Sequence, residues 1–247
     1  MSAAVVDKPR AETASVDRTA RLDIAGLYGL GAAICGAIAP LIGGVGLILA
    51  WPALALAGVA AAYAMGWNWI FGKRGGRLPL WSYVVFGPFL LGQRISWWIQ
   101  SRGRTPCSQL LPNLWIGQYP SARDCAELKR RGVSATVDLT AEFSESRALR
   151  GEGYHNLPML DLTLPDLETL RRAVAMIDDA ARDGSVVYLH CALGYGRTAV
   201  VAAAYLLWTR RALTVDQAVD AVRTCRPGSV FPPVVLELLK QFHAALW

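Results

Sequence analysis

Residues 190–198, with the sequence HCALGYGRT, combine residue types that can carry out chemistry on an anion. Cys191 and Arg197 stand near the two ends of this segment, with glycines between them. The preceding residues 185–189 form an apolar run typical of a buried strand, and residues 199–208 are apolar and rich in helix formers. A strand, a loop and a helix in this order aim backbone N–H groups and a helix N-terminus at one point. We therefore expect that point to bind a tetrahedral oxyanion such as phosphate.

The residue types in this loop predict nucleophilic catalysis. A cysteine beside a helix N-terminus and an arginine favours the thiolate near neutral pH, so Cys191 is the expected nucleophile. Arg197 offers a planar fork of donors that can hold two phosphoryl oxygens. Thr198 is placed for its hydroxyl to hydrogen-bond the Cys191 sulfur and to help it leave in a second step. His190 suits fixing the loop by hydrogen bonding better than acting as a base, because a thiolate formed by its surroundings needs none.

The loop between the cysteine and the arginine is expected to surround the phosphate group. Gly194 and Gly196 allow backbone angles, and a close approach to the ligand, that a side chain would prevent. Together with Arg197, the predicted phosphate-binding residues are Ala192, Leu193, Gly194, Tyr195 and Gly196. This chemistry needs no metal ion, and we predict no cofactor. The five cysteines are scattered along the chain and indicate neither a disulfide framework nor a zinc site.

The segment resembles the His-Cys-x-x-Gly-x-x-Arg-Ser/Thr signature of the cysteine-dependent protein tyrosine and dual-specificity phosphatases. The resemblance implies an aspartic acid on an upstream loop that protonates the leaving oxygen. Asp161 follows an apolar run at the end of a predicted strand, as the family's general acid does. Asp166 follows Pro165 and precedes a helical pattern, where an aspartate is commonly an N-cap. We therefore predict Asp161 as the acid and Asp166 as the cap, with the reverse assignment as the alternative.

The resemblance covers residues 108–247 and implies an α/β phosphatase domain of the dual-specificity type. Its strands and helices are expected at residues 114–117, 124–131, 133–139, 215–224 and 233–246. Alternating strands and helices predict a central, largely parallel sheet flanked by helices. The catalytic loop would then lie at the carboxyl end of a strand, where such sheets bind their ligands.

The first hundred residues have a different composition. Residues 1–21 mix charged and small polar residues without apolar periodicity and are predicted to be a flexible tail. Residues 24–71 contain no charged residue, which is too long a run for one membrane span and suits two. We therefore predict an all-α transmembrane hairpin within residues 22–72. Its break is expected near Trp51 and Pro52 or at the glycines around Gly43.

A further apolar segment lies within residues 78–104. It is short and is followed by the arginines and tryptophans Arg94, Trp97, Trp98, Arg102 and Arg104. This composition favours an interfacial or re-entrant helix over a third membrane helix, with the arginines on anionic lipid headgroups. Basic residues on both sides of the hairpin predict an integral membrane protein with a cytoplasmic catalytic domain, in the inner or plasma membrane if the source is bacterial. A third span would place that domain on the other side.

The net charge of +6 is concentrated beside the predicted membrane segments. It indicates attraction to lipid rather than to nucleic acid, because no dense basic patch with stacking aromatics is present in the sequence.

The sequence thus predicts a membrane-anchored phosphomonoester phosphatase that works through a phosphocysteine. The C-terminal half, especially residues 160–163 and the pair Arg226-Pro227, also resembles the mitochondrial-type phosphatidylglycerophosphate phosphatases. This resemblance implies a phospholipid monophosphate as substrate. Phosphoinositide phosphatases of the tensin type usually carry lysines in this loop, and this sequence has none there. A protein tyrosine or dual-specificity phosphatase acting on phosphoproteins is the alternative. A catalytically inactive phospho-binding scaffold on the membrane is a third reading, disfavoured because the nucleophile, the arginine and a candidate acid are all present.

Overall fold

Three long helices form the N-terminal part of the chain. The computed structural model describes residues 7–246, with the side chains of residues 17–44 and 46–246. Helix α1 is Asp7–Ile38, α2 is Leu47–Met65 and α3 is Leu80–Gln100, and a 3-10 segment Ala39–Gly46 joins α1 to α2. Within this joint Gly43 has a φ of 64°. The apolar stretch therefore breaks at the glycines, and Pro52 lies inside α2.

Helix α1 begins inside the stretch that the sequence predicted to be a tail. Residues 1–6 lie outside the described residues. Residues 7–21 form the first part of α1. An ion pair one helical turn apart joins Asp17 to Arg21. The Asp17 Oδ1 also accepts a hydrogen bond from the Leu164 N–H at 3.1 Å. The tail prediction considered only apolar periodicity and missed these polar contacts.

Two segments are long and apolar enough to cross a membrane. They are Asp17–Gly44, with a mean hydropathy of 1.8, and Leu47–Met65, with a mean hydropathy of 1.9. Helix α3 does not meet this criterion, so the described part of the chain has two such helices. Large apolar side chains on all three helices are exposed, including Leu27, Leu30, Leu54, Val84 and Leu91. A surface of this kind marks a site of contact with lipid or with another protein.

A five-stranded mixed sheet forms the centre of the C-terminal part. Its strands are β1 Cys107–Leu111, β2 Leu114–Gln118, β3 Val133–Thr140, β4 Tyr154–Met159 and β5 Val186–Cys191. Their order across the sheet is β1-β2-β5-β3-β4. The edge strand β1 is antiparallel to β2, and the other neighbouring pairs are parallel. The predicted, largely parallel sheet is confirmed, whereas β1 was not recognised in the sequence.

Helices cover both faces of this sheet. They are α4 Ala122–Arg130, α5 Leu167–Arg182, α6 Arg197–Trp208, α7 Val215–Cys225 and α8 Pro233–Ala244. Side chains alternate along β5, so that Val187 and Leu189 join the main apolar core with α5, α6, α7 and α8. Tyr188 faces the opposite side and packs with Leu128 of α4. This alternation fixes which face of the sheet each β5 side chain occupies, and therefore how the loop after β5 leaves the sheet.

A buried ion pair joins the N-terminal part to the sheet. Lys73 follows α2, and its Nζ lies 2.5 Å from the Asp138 Oδ2 of β3. The same Nζ donates to the Thr140 carbonyl oxygen at 2.8 Å. Burial would raise the pKa of the Asp138 carboxyl, but the charges of Lys73 and His190 outweigh burial and hold that pKa below its usual value. The catalytic part therefore contains a buried carboxylate whose partner comes from outside it.

Replacing Lys73 by methionine should destabilise the protein by about 3–5 kcal/mol near pH 7, because Asp138 stays buried without its partner. A carboxylate with a lowered folded-state pKa contributes stability above its unfolded pKa, and this contribution is lost as the pH falls. The difference in thermal unfolding between wild type and Lys73→Met in detergent should therefore shrink on acidification. Lys129→Met, at an exposed position of α4, is the matched control. A Lys73→Met protein as stable as this control at pH 7 would contradict the assignment.

Candidate active site

The loop between β5 and α6 is held in one shape by its glycines. Gly194 has a φ of 77°, a backbone angle that residues other than glycine rarely adopt. A Cβ at this position would also stand 2.3 Å from the Gly117 carbonyl oxygen of β2. The Gly194 N–H donates to the Cys191 Sγ at 3.3 Å. Gly196 is the N-cap of α6, so the cysteine ends a strand and the arginine starts a helix, as the sequence predicted.

A buried guanidinium lies at the start of α6. The Arg197 Nη2 donates to the Glu142 Oε1 at 2.8 Å and to the Asp161 Oδ1 at 2.9 Å. Its Nη1 donates to the Met159 carbonyl oxygen at 2.7 Å. Burial disfavours the charged form, but the carboxylates of Glu142 and Asp161 outweigh it and raise the pKa of Arg197 further above its usual range. The Arg197 Nε–H has no hydrogen-bond partner among the described residues, so one donor of the fork is unused.

The two candidate acids occupy different environments. Asp161 lies on the loop after β4 beside Arg197, and its side chain is 40% exposed. Asp166 is the N-cap of α5, where its Oδ1 accepts a hydrogen bond from the Thr169 N–H at 2.6 Å. Of these two aspartates, Asp161 is the one hydrogen-bonded to the loop arginine. The structure therefore places Asp166 in the capping position that its sequence context predicted.

His190 is fully buried and lies within hydrogen-bond distance of a glutamate that is distant in the sequence. Its Nε2 lies 2.7 Å from the Glu145 Oε2, and its Nδ1 lies 3.4 Å from the Cys191 carbonyl oxygen. Burial lowers the pKa of the imidazole, but the charges of Asp138 and Glu145 outweigh burial and raise it. These contacts fit a residue that fixes the loop.

The hydrogen bond expected between Thr198 and the nucleophile is not formed. The Thr198 Oγ1 is buried and has no partner among the described residues. The sulfur of Cys191 instead accepts the Gly194 N–H. Residue spacing gives no information on whether this contact forms before the reaction, and the role of Thr198 in a second step stays a prediction.

The outer side of the loop packs against the N-terminal part. Ala192 lies in a buried cluster with Trp97 of α3, Tyr119 and Phe143, and Leu193 packs on that cluster. On the far side of the loop, the Arg104 guanidinium lies 5.1 Å from the centre of the Tyr195 ring. The segment predicted to be interfacial thus contacts the loop predicted to bind phosphate.

Three residues of the site were missed or misread in the sequence. Glu142 and Glu145 were not predicted as site residues, yet each is only 3% exposed. Their partners are Arg197 and His190, which are distant in the sequence. Arg226, known only from the Arg-Pro pair in the family resemblance, donates from Nε to the Gly194 carbonyl oxygen at 2.8 Å and from Nη2 to the Leu193 carbonyl oxygen at 2.9 Å. Arg226 therefore holds the loop through its backbone carbonyl oxygens.

One cluster has residue types that can bind a metal ion. Asp138, Glu145 and His190 each present a ligand atom within 4.8 Å of the others. The Lys73 ammonium group lies 2.5 Å from the Asp138 Oδ2 and already neutralises charge there. We therefore treat the cluster as a buried charge network that supports the loop.

Solved structures share this fold over the C-terminal part. The crystal structure of Tk-PTP in the active form has a TM-score of 0.51 at 28% identity, over 56% of this chain and 96% of that one. The crystal structure of PTPMT1 has a TM-score of 0.51 at 23% identity, over 57% of this chain and 95% of that one. The likeness to PTPMT1 at this identity shows the fold alone.

Curated proteins are similar in sequence over the same region. Mouse dual specificity phosphatase 28 is 31% identical over 123 residues, which are 49% of this chain and 74% of the relative. Mouse dual specificity protein phosphatase 12 is 30% identical over 122 residues, which are 48% of this chain and 36% of the relative. The chain thus spans about a third of the length of the second relative and about three quarters of the first.

The family of the dual specificity phosphatase catalytic domain matches residues 114–243. This match begins with β2 and ends within α8, so it contains the cysteine loop, the buried arginine and both candidate acids. The chain therefore belongs to the dual-specificity phosphatase family of cysteine-dependent phosphatases.

Proposed function

We propose that this chain is a membrane-anchored phosphomonoester phosphatase that works through a phosphocysteine at Cys191. The observation that carries this proposal is the contact between Arg197 and Asp161 at 2.9 Å. Because Arg197 also ends the loop that begins at Cys191, this contact brings a nucleophile, an anion-binding group and a carboxyl group to the same edge of the sheet.

The reaction has two steps. In the first, the Cys191 thiolate attacks phosphorus, the bond from phosphorus to the ester oxygen breaks, and protonated Asp161 gives its proton to the departing oxygen. In the second, water attacks phosphorus and gives a proton to the Asp161 carboxylate, and the sulfur leaves as a thiolate. Arg197 and the loop N–H groups hold the equatorial oxygens as charge redistributes. Free alcohol and inorganic phosphate are the products.

His190 and Thr198 have supporting roles in this scheme. His190, held by Glu145, fixes the backbone from which the Cys191 side chain projects. The Thr198 hydroxyl is buried without a partner among the described residues and is adjacent to Arg197 in the chain. We assign it to hydrogen-bonding the thiolate that leaves in the second step, which requires its rotamer to change.

Membrane anchoring is supported by the two long apolar helices. In our proposal α1 and α2 cross the bilayer as a hairpin, and α3 lies in the interface with its arginines near anionic headgroups. The Arg102 guanidinium lies 3.4 Å from the centre of the Trp98 ring, a pairing suited to headgroup depth. The catalytic part then faces the cytoplasm, where thiols stay reduced.

For the substrate we propose a phospholipid monophosphate such as phosphatidylglycerophosphate. A site tethered at the bilayer meets lipid headgroups at a high effective concentration. The loop positions filled by Ala192, Leu193 and Tyr195 carry no lysine for further phosphates. PTPMT1, which shares the fold at 22% identity and a TM-score of 0.52, has been crystallised in complex with PI(5)P. The alternative is a phosphoprotein, which is favoured by the dual specificity protein phosphatases among the curated relatives.

Two substitutions test the chemical steps on an aryl phosphate in detergent. Cys191→Ser should reduce turnover to the background level, because a neutral hydroxyl replaces the thiolate. Asp161→Asn should reduce kcat about 10²–10⁴-fold for a poor leaving group, because the departing oxygen is no longer protonated. Cys35→Ser, a free cysteine of α1, is the matched control and should keep wild-type activity. Turnover by Cys191→Ser at the wild-type rate would refute the mechanism.

A comparison of substrates tests the lipid assignment. Phosphate release would be measured with the full-length protein from phosphatidylglycerophosphate in mixed micelles and from phosphotyrosine peptides in the same micelles. We expect kcat/KM to be at least about tenfold higher for the lipid, because surface tethering adds to its effective concentration. Cys191→Ser serves as the blank for both substrates. A preference for peptides by orders of magnitude would replace the lipid proposal with the phosphoprotein alternative.

A further inference from the structure

We infer that Tyr63 and Asn68, at the end of the second apolar helix and just beyond it, are positioning residues for the Asp161 proton donor. The inference rests on the proposed function, because it takes Asp161 to be the group that protonates the leaving oxygen. Neither residue lies within the region that matches the phosphatase family. The N-terminal part would then serve as a structural support of the active site as well as an anchor.

Two hydrogen bonds fix the backbone on either side of the Asp161 Cα. The Leu160 N–H donates to the Asn68 Oδ1 at 2.9 Å. The Tyr63 hydroxyl donates to the Asp161 carbonyl oxygen at 3.0 Å. Because one bond precedes the Cα and the other follows it, together they limit the direction in which the Asp161 side chain projects.

The backbone of this loop is strained and needs outside support. Leu162 has a φ of 60°, an angle that is uncommon for residues other than glycine. Such a conformation is unfavourable and persists where the surrounding structure over-determines it. The Leu162 side chain is 73% exposed and adds little packing. Within the loop the Thr163 Oγ1 donates to the Leu160 carbonyl oxygen at 2.8 Å, and Arg197 bonds the Asp161 side chain. Further support for the backbone comes from the N-terminal part.

The supporting side chains are themselves firmly held. Tyr63 is buried in an apolar cluster with Phe71, Phe89 of α3 and Leu160, so the donor loop and the helices share one packed core. Asp17 of α1 adds a third contact, accepting the Leu164 N–H at 3.1 Å. The loop that carries Asp161 is thus bonded to residues of α1, α2 and the segment after α2.

Misplacement of a proton donor has a distinctive kinetic signature. A nitrophenolate leaves without a proton, whereas an alkoxide needs one, so loss of the donor matters most for poor leaving groups. A displacement near 1 Å can cost about 10²-fold in rate. Binding of the phosphate itself, through Arg197 and the loop N–H groups, is separate from this effect. Loss of positioning should therefore lower kcat/KM, which reports the steps up to departure of the leaving group, with a strong dependence on that group. Asp161 also acts as a base in the second step, so its misplacement lowers kcat on good leaving groups too.

The test uses the full-length protein in detergent with aryl phosphates of decreasing leaving-group acidity and one alkyl phosphate. Tyr63→Phe removes only the hydroxyl, and Asn68→Ala removes the acceptor. Each should lower kcat/KM roughly tenfold or more on the poorest leaving groups and little on p-nitrophenyl phosphate. Asn68→Asp keeps an acceptor oxygen and should restore most of the activity. Because Tyr63→Phe is nearly isosteric, a folding failure of Asn68→Ala would leave the test intact.

Matched controls separate positioning from general damage. Asn113→Ala lies in the turn between β1 and β2, at the end of the sheet opposite the cysteine loop, and Tyr205→Phe lies in α6. Both should behave like wild type on every substrate. An equal loss of kcat/KM by Tyr63→Phe on all leaving groups, including one caused by KM alone, would overturn the inference. If the loss of kcat/KM in Asp161→Asn does not depend on the leaving group, Asp161 is not the acid. If that loss depends on the leaving group in Asp161→Asn but not in Tyr63→Phe and Asn68→Ala, only the positioning role is refuted.

Discussion

The buried guanidinium of Arg197 is the constraint on which the arrangement of the site depends. A charge removed from water is tolerated when partners surround it, and Arg197 has partners from two other segments. Glu142 comes from the loop after β3, and Met159 and Asp161 come from the end of β4. The carboxyl ends of three parallel strands must therefore converge around one side chain. The contacts that neutralise the buried Arg197 guanidinium therefore also bring the catalytic groups together.

Around this centre a second set of charges holds the loop, and part of it comes from outside the phosphatase family region. Arg226 donates hydrogen bonds to two carbonyl oxygens of the loop, and Glu145 is hydrogen-bonded to His190. Lys73, which follows the apolar hairpin, neutralises Asp138 inside the sheet. The N-terminal part is thus bonded both to the interior of the sheet and to the loop of Asp161. Removing it would expose Leu160 and deprive the buried Asp138 carboxylate of its lysine partner, so the two parts of the chain form one structural unit.

Local sequence patterns predicted those parts of the site whose residues lie close together in the sequence. The cysteine loop between an apolar strand and an apolar helix was recognised from residue types, and Asp166 was recognised as a cap from the proline before it and the helix after it. Partners distant in the chain were not found. Glu142 is 55 residues from Arg197, and Lys73 is 65 residues from Asp138, so no local pattern links their charges. The Thr198 rotamer and the positive φ of Leu162 likewise depend on tertiary packing, which no local pattern encodes.

The central claim is that the loop around Cys191 transfers a phosphoryl group through the cysteine sulfur. The most direct measurement is rapid acid quenching of Asp161→Asn during turnover of an aryl phosphate with a good leaving group, followed by mass spectrometry of its peptides. This variant forms the intermediate readily and hydrolyses it slowly, because the second step lacks its base. The account predicts one added phosphoryl group on the peptide that contains Cys191. A phosphoryl group on another residue, or turnover without any covalent intermediate, would contradict it.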